Sequence, residues 1–179
     1  MRVAVFAGYS GAGKTTLIER LIALLRARGL RVSVVKHAHH KFDIDRPGKD
    51  TYRHREAGAF EVVIASRHRL ALMREFEHEL ELGVHQLIAE LSGGVDWVLV
   101  EGFRASELPK IEVWRADAGK AALYPGDACV VAIATDSPER LPQATELPLL
   151  DLNDASAVAD WLLTQGARFD YDPGRHHAG

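Results

Sequence analysis

The 179-residue sequence contains a single cysteine, Cys129. One cysteine cannot form a disulfide or a cysteine-based zinc site within the chain, and a reducing cytosolic setting is the simplest inference. Long apolar runs are lacking too: residues 128–134 form one of the longest, whereas a membrane-spanning helix needs about 18 such residues. The first residues do not form a secretory signal pattern. We therefore expect a cytoplasmic protein with no membrane contact.

Charge is unevenly distributed along the chain. Residues 1–74 carry 15 basic and 6 acidic side chains and residues 75–179 carry 7 and 19, so their net charges are +9 and −12. A positive half can bind nucleic acid or a phosphorylated small molecule, although solvated helix faces give the same asymmetry. No basic run is interleaved with aromatic residues, and the whole chain has a net charge of −3. Nucleic acid is therefore not an expected partner.

Apolar strand-like segments alternate with amphipathic ones, which is typical of an α/β domain. A strand, a helix and a strand at residues 2–7, 14–28 and 31–35 form the minimal parallel crossover. Further strands are predicted at 97–100, 110–114, 128–134 and 149–150, helices at 50–57, 84–91 and 154–163, and a hairpin at 60–65 and 70–76. We predict a three-layer α/β domain at residues 1–165 with a mainly parallel sheet and a peripheral antiparallel hairpin. A disordered polar tail is expected at residues 166–179.

The segment Gly8–Thr15 matches the pattern G-x-x-x-x-G-K-[ST] at every fixed position. It lies between a predicted strand and a predicted helix, the context that this phosphate-binding loop requires. Its glycines allow backbone N–H groups to face a phosphate, and the helix N-terminus adds partial positive charge. The domain is therefore predicted to be a P-loop NTPase domain. The residues expected to bind the nucleotide are Gly8, Ser10, Gly11, Ala12, Gly13, Lys14, Thr15 and Thr16.

Two residues of this loop have specific predicted roles. Lys14 is expected to reach the β- and γ-phosphates as a catalytic residue, and Thr15 to bind Mg²⁺ through its hydroxyl. A P-loop site also needs a carboxylate at the carboxyl end of a nearby strand. Glu101 directly follows the apolar strand at 97–100 and is the first candidate. The alternative for Glu101 is a solvent-exposed carboxylate at the end of a strand.

Two aspartates after the second strand, Asp43 and Asp45, are further metal-ligand candidates. They are two positions apart, so both can face the same cation, and one can orient the attacking water. We select Asp45 for both roles. The alternative is that either aspartate caps a turn beside Pro47 and Gly48.

The same region is rich in histidine, with His37, His39 and His40. Imidazole and carboxylate ligands suit zinc or nickel, which makes a transition-metal site one interpretation. In an extended segment, however, residues 37 and 39 share a face while residue 40 points away. Binding of an anion or substrate together with Lys36, or a solvated loop, are the alternatives.

Several segments together resemble the MobB family of molybdopterin-guanine dinucleotide biosynthesis adaptor proteins. The resemblance rests on Phe6–Leu17, Val35–Ala59, Val100–Arg104 and Leu147–Asp154, of which the second is the most specific. It implies a GTP-binding homodimer with at most slow GTP hydrolysis, which uses GTP and Mg²⁺. It also implies a partnership with the guanylyltransferase MobA, which attaches GMP to molybdopterin or its molybdenum-loaded form.

Two positions qualify what the resemblance implies. Tyr9 stands where MinD-like P-loop proteins have a second lysine, so catalysis by a lysine from a partner subunit is not expected. The guanine-reading signature N-K-x-D is missing, because Asn153 is the only asparagine. Asp136 is expected to read the base, with Asn153 and Asp154 as the alternative.

Two other functions remain open from the sequence. A small-molecule kinase or an ATP-dependent synthetase of the dethiobiotin-synthetase type is indicated by the segment Val100–Gly102 and by Lys36. A metal-insertion GTPase would account for the histidines. An adaptor is preferred, because the phosphate loop is complete while the residue that would activate water is poorly defined.

Overall fold

A computed structural model describes residues 1–38 and 42–175, without the side chain of residue 175. His39 and His40 lie outside the described residues. The chain forms two compact units, one of Met1–His37 with Gly83–Gly179 and one of Ala38–Leu82. In chain order the strands are β1 Arg2–Ala7, β2 Val32–Lys36, β3 Glu61–Ala65, β4 Leu70–Arg74, β5 Trp97–Glu101, β6 Lys110–Trp114, β7 Val130–Thr135 and β8 Leu149–Asp151. The α-helices are α1 Lys14–Ala27, α2 Asp50–Glu56, α3 Val84–Ala89 and α4 Ala155–Thr164.

The larger unit is built on a six-stranded sheet in the order β2-β5-β1-β6-β7-β8, and its neighbouring strands pair in parallel. Residues of β1 alternate between two cores: Ala4 and Phe6 belong to the core that contains α1 and α4, and Val3 and Val5 to the core that contains α3. Burial on both faces explains the continuous apolar sequence of β1. The predicted three-layer α/β fold with a mainly parallel sheet is therefore confirmed.

The parallel order places the carboxyl ends of all six strands at one edge of the sheet. Ligands of open α/β sheets bind at this edge, near a point where the strand order reverses. Here β1 lies between β5 and β6, so the loop after β1 is flanked by the segments that follow Glu101 and Trp114. Residues far apart in the sequence meet there.

Ordered packing continues beyond residue 165. Gly166–Phe169 forms a 3-10 helix, Phe169 is 1% exposed, and its ring packs 5.7 Å from that of Trp97. The backbone N–H of Tyr171 donates to the carbonyl of Met1 at 2.9 Å. This differs from the disordered tail expected from residue 166. Phe169 and Tyr171 are both buried, although the segment that contains them is otherwise polar. Residues 176–179 lie outside the described part of the chain.

The smaller unit contains α2 and the predicted antiparallel hairpin, in which β3 pairs with β4 and Val63 lies opposite Leu72. The turn closes through the N–H of Ser66, which donates to the carbonyl of Arg69 at 2.8 Å. One face of the hairpin is apolar and open to solvent. Its exposed members are Val63 at 58%, Leu70 at 67% and Leu72 at 44%. No helix in the described ranges is long and apolar enough to cross a membrane.

Candidate nucleotide-binding site

The loop between β1 and α1 has a backbone that favours glycine at three points, Gly8, Gly11 and Gly13. Gly8 has φ 145°, and a Cβ there would lie 2.3 Å from the carbonyl oxygen of Val113 in β6. Gly13 has φ 100° and directly precedes α1. Because the first turn of a helix has unpaired N–H groups, α1 presents donors and partial positive charge at the end of the loop. The local structure is that of a phosphate-binding loop.

Lys14 lies at the start of α1, where its Nζ donates to the carbonyl of Tyr9 at 2.8 Å. Burial lowers the pKa of the Lys14 ammonium. The negative charge of Glu101 opposes this shift, and the positive charges of Lys36 and Arg104 lower the pKa further. A bound anion would favour the charged form of Lys14, so the side chain is suited to a phosphate ligand.

The structure brings Thr15 and Glu101 into contact. The hydroxyl of Thr15 donates to Oε1 of Glu101 at 2.7 Å, and Nζ of Lys36 lies 3.3 Å from Oε2. Glu101 is only 9% exposed, so it is not the solvent-exposed carboxylate of the alternative interpretation. Mg²⁺ prefers hard oxygen ligands such as a hydroxyl and a carboxylate. This pair of side chains therefore fits the predicted magnesium site in position and in chemistry.

Asp45 lies in the smaller unit and is engaged there. Its Oδ1 accepts hydrogen bonds from the N–H of Arg46 and the hydroxyl of Thr51, both at 2.9 Å, and its Oδ2 lies 3.4 Å from Nη1 of Arg55. Desolvation raises the pKa of Asp45, but these hydrogen bonds outweigh it, and the pKa lies below its usual value. These contacts are those of the turn-capping alternative. The metal-binding and catalytic roles of Asp45 stay predictions.

Asp136 is linked to the phosphate loop through Arg115. Nε of Arg115 donates to the carbonyl of Ala12 at 3.2 Å, and its Nη1 lies 3.1 Å from Oδ2 of Asp136. The other carboxylate oxygen accepts from the hydroxyl of Ser137 at 2.7 Å. In the alternative pair, the carboxylate of Asp154 accepts from the N–H of Ala157 and caps α4. Base reading by Asp136 stays a prediction.

The histidine segment is described only in part. The ring of His37 stacks on that of Phe103 with centroids 4.8 Å apart, and the backbone N–H of His37 donates to the carbonyl of Glu101 at 3.0 Å. Among the described residues, no group of three or more histidine, cysteine, aspartate or glutamate side chains is arranged to hold a metal ion. His37 therefore supports the chain beside Glu101.

Two cations at this edge were not predicted from the sequence. Arg115 immediately follows β6, and Arg104 follows β5 by three residues. The guanidinium of Arg104 lies 4.7 Å from the centroid of the Tyr9 ring. The signal that could have found both is a basic residue shortly after the carboxyl end of a strand that neighbours β1, but this requires the strand order.

The central strand of a parallel sheet leads into a glycine-rich loop that ends in Lys14 and Thr15, and a helix follows. This arrangement defines the class of P-loop nucleotide-binding α/β proteins. The family model for MobB, "Molybdopterin guanine dinucleotide synthesis protein B", matches residues 3–136. The chain belongs to the MobB family, as the resemblance of its segments predicted.

Individual relatives agree over most of their length. The chain is 42% identical over 160 residues to the molybdopterin-guanine dinucleotide biosynthesis adapter protein of Escherichia coli (strain K12), covering 88% of this chain and 89% of that protein. The adapter protein of Haemophilus influenzae is 41% identical over 157 residues, with 87% and 84% covered. Among solved structures, a MobB protein homolog from Bacillus stearothermophilus superposes with a TM-score of 0.71 and 25% identity, covering 92% of this chain and 97% of that chain.

Proposed function

We propose that this chain is a GTP-binding adapter of molybdopterin-guanine dinucleotide biosynthesis. It acts in the cytoplasm, binds GTP with Mg²⁺, and assists the guanylyltransferase MobA on molybdopterin or its molybdenum-loaded form. The observation that carries the nucleotide part is the contact of Thr15 with Glu101 at the end of a complete phosphate loop. The adapter part is supported by the names of the Escherichia coli and Haemophilus influenzae relatives.

In this proposal different residues of the larger unit bind different parts of the nucleotide. The loop backbone and the N-terminus of α1 hold the phosphates, and Lys14 exchanges the carbonyl of Tyr9 for phosphate oxygens. Thr15 and Glu101 hold Mg²⁺, which neutralises phosphate charge when it is bound. Asp136 reads the guanine base from the end of β7, so Asp136→Asn is expected to reduce the preference for GTP over ATP.

Hydrolysis is proposed to be slow, because the residue predicted to orient water already has partners. The carboxylate of Asp45 accepts hydrogen bonds from Arg46, Thr51 and Arg55 within the smaller unit. A general base must be within hydrogen-bond reach of the water it activates and have a pKa near the operating pH, whereas these hydrogen bonds hold the pKa of Asp45 below its usual value and make it a weak base. A fast single turnover of Mg-GTP by the isolated protein would contradict this part of the proposal.

The homodimer is proposed to form through the apolar face of the β3–β4 hairpin. Val63, Leu70 and Leu72 are exposed on this face, and the ion pair of Glu61 with Arg74 lies at its end. An isolated two-stranded sheet is marginally stable in water, so burial of this apolar face against a second copy of the chain would stabilise the hairpin. Leu72→Lys should shift the protein from dimer to monomer in analytical ultracentrifugation. An unchanged dimer would place the interface elsewhere.

The test of the adapter function is a pull-down of MobA with and without GTP. Wild-type protein should retain MobA, and Lys14→Ala should lose nucleotide binding and any part of the retention that depends on GTP. Arg26→Ala, an exposed basic residue in the last turn of α1 and away from the phosphate loop, is the matched control. No retention of MobA under either condition would contradict the adapter. Binding of ATP at least tenfold tighter than GTP would instead favour the kinase or synthetase.

A further inference from the structure

Two positively charged side chains, Lys14 and Arg104, contact Tyr9, the second residue of the phosphate loop. The carbonyl oxygen of Tyr9 accepts a hydrogen bond from Nζ of Lys14 at 2.8 Å, and its ring carries the guanidinium of Arg104 at 4.7 Å. Lys14 is part of the loop pattern, but Arg104 is not. Arg104 therefore reaches the loop from another segment, 95 positions beyond Tyr9 and shortly after β5.

The backbone that delivers Arg104 has an unusual conformation. Gly102 has φ 101° and Phe103 has φ 48°, and Phe103 is the one non-glycine residue with positive φ in the part of the chain that the structure describes. Such a conformation persists only where surrounding contacts hold it, and it is common at functional sites. Here the N–H of Gly102 donates to the carbonyl of Phe6 at 3.3 Å and the ring of His37 stacks on Phe103. These contacts fix the chain that leads to Arg104.

Lys14 interacts with two positive charges, those of Lys36 and Arg104, and with one negative charge, that of Glu101. Lys14, Lys36 and Arg104 lie close enough for their charges to interact, while Glu101 is the carboxylate that acts on Lys14. The side chain of Arg104 is exposed, and its contact with the aromatic ring is weaker than the bidentate bond that a guanidinium forms with a phosphate. A phosphate group is therefore a stronger partner for the Arg104 guanidinium than the Tyr9 ring.

We propose that Arg104 binds the terminal phosphate of a nucleoside triphosphate and gives the site its preference for triphosphate over diphosphate. Without the ligand, the ring of Tyr9 holds the guanidinium ready beside the loop. With a diphosphate, Arg104 stays on the ring, and the loop and Lys14 supply the binding. This inference rests on the proposed nucleotide-binding function and adds a residue that the loop pattern does not contain.

The test compares dissociation constants for GDP and for a non-hydrolysable GTP analogue, each with Mg²⁺, by titration calorimetry. Arg104→Gln should weaken binding of the triphosphate analogue about tenfold and change binding of GDP less than twofold, because a charge-assisted bond to one phosphate is lost. Arg28→Gln, which removes an ion pair with Asp160 at the other end of α1, controls for the loss of one charge.

The possible outcomes separate this inference from the function on which it rests. If wild-type protein binds neither nucleotide, the nucleotide-binding function is wrong and the inference falls with it. If wild-type protein binds both, but Arg104→Gln weakens both equally or neither, only the role of Arg104 is overturned. Partial recovery of the triphosphate preference by Arg104→Lys would support a direct bond to phosphate. If Arg104→Lys and Arg104→Gln both lose the same affinity for GDP and for the triphosphate analogue, a direct bond is contradicted.

Discussion

Thr15 and Glu101 are 86 positions apart in the sequence, yet the hydroxyl of Thr15 donates a 2.7 Å hydrogen bond to the carboxylate of Glu101. The parallel register of β1 and β5, in which Phe6 lies opposite Glu101, creates this proximity. A hydroxyl from the phosphate loop and a carboxylate from the next strand of the sheet thus form one oxygen-rich pair. The pair connects the sheet topology to the proposed metal dependence.

Replacing Glu101 by glutamine should impair magnesium-dependent binding selectively. Glutamine retains the size of the side chain and can accept the hydrogen bond from Thr15, but it lacks the negative charge that a divalent cation requires. We expect affinity for Mg-GTP to fall roughly tenfold and affinity for GTP in the presence of a chelator to change little. Calorimetry with and without Mg²⁺ measures both, and Asp160→Asn at an exposed ion pair is the control. Equal losses under both conditions would remove Glu101 from the metal site.

The lowered pKa of Lys14 predicts opposite pH dependences for stability and for nucleotide affinity. The ammonium is disfavoured by burial, so below its ordinary pKa of 10.5 the unfolded chain binds more protons than the folded one. The free energy of unfolding without ligand should therefore rise as pH increases towards 10.5, while affinity for GTP falls as the ammonium is lost.

Chemical denaturation across alkaline pH, with Lys14→Met as reference, measures this effect. Methionine does not titrate, so the difference in unfolding free energy between wild type and variant isolates the contribution of Lys14. Calorimetry in buffers of different ionisation enthalpy should also show proton uptake when GTP binds to wild-type protein. Parallel stability curves for the two proteins would mean that the burial of Lys14 has no effect on its protonation.

Arg55 joins three parts of the smaller unit, and its removal should loosen that unit alone. Its guanidinium binds Glu75 at 2.5 Å, Asp43 at 3.1 Å and Asp45 at 3.4 Å. Arg55→Ala leaves these carboxylates without their common cation. We expect faster hydrogen exchange and faster proteolysis in residues 42–82, with the larger unit unchanged. Arg69→Ala, in the hairpin turn, serves as the control, and uniform exchange rates in both units would argue against a local role for Arg55.

Phe169 should contribute substantially to the stability of the larger unit. Its ring is buried against Trp97 and lies 6.1 Å from Trp161 of α4. Phe169→Ala should reduce the free energy of unfolding by about 3–5 kcal/mol, as expected for loss of a buried aromatic side chain. Urea denaturation measures this, with the exposed neighbour Arg168→Ala as control. An effect no larger than that of the control would show that the burial of Phe169 adds little to the stability of the larger unit.

Much of the site was predictable because its residues are fixed by local rules. Gly8–Thr15 has a set spacing between a strand and a helix, and Glu101 follows a continuous apolar strand, so both could be placed before the structure was known. That both lie at one edge of the sheet follows from the general property that parallel strands end there, but their contact also requires β5 to lie beside β1, an order that only the structure shows.

The positions of other residues could not be predicted, because they depend on features of the fold that the sequence does not display. The contact of Arg115 with Ala12 follows from the order of β1 and β6, and that of Arg104 with Tyr9 from the bend at Phe103. Phe169 lies in a short segment without a helical or strand period, so its burial left no pattern to detect.

The two glycines at the start and middle of the phosphate loop are indispensable for different reasons. A side chain at Gly8 would collide with the main chain at Val113, so any replacement must push β1 and β6 apart and damage the centre of the sheet. Gly11 also has a positive φ of 83°, but nothing lies within 4 Å of the place its Cβ would take. Inherited or engineered changes at Gly8 would thus yield little folded protein, whereas those at Gly11 would yield a folded protein whose phosphate-binding loop has an altered backbone.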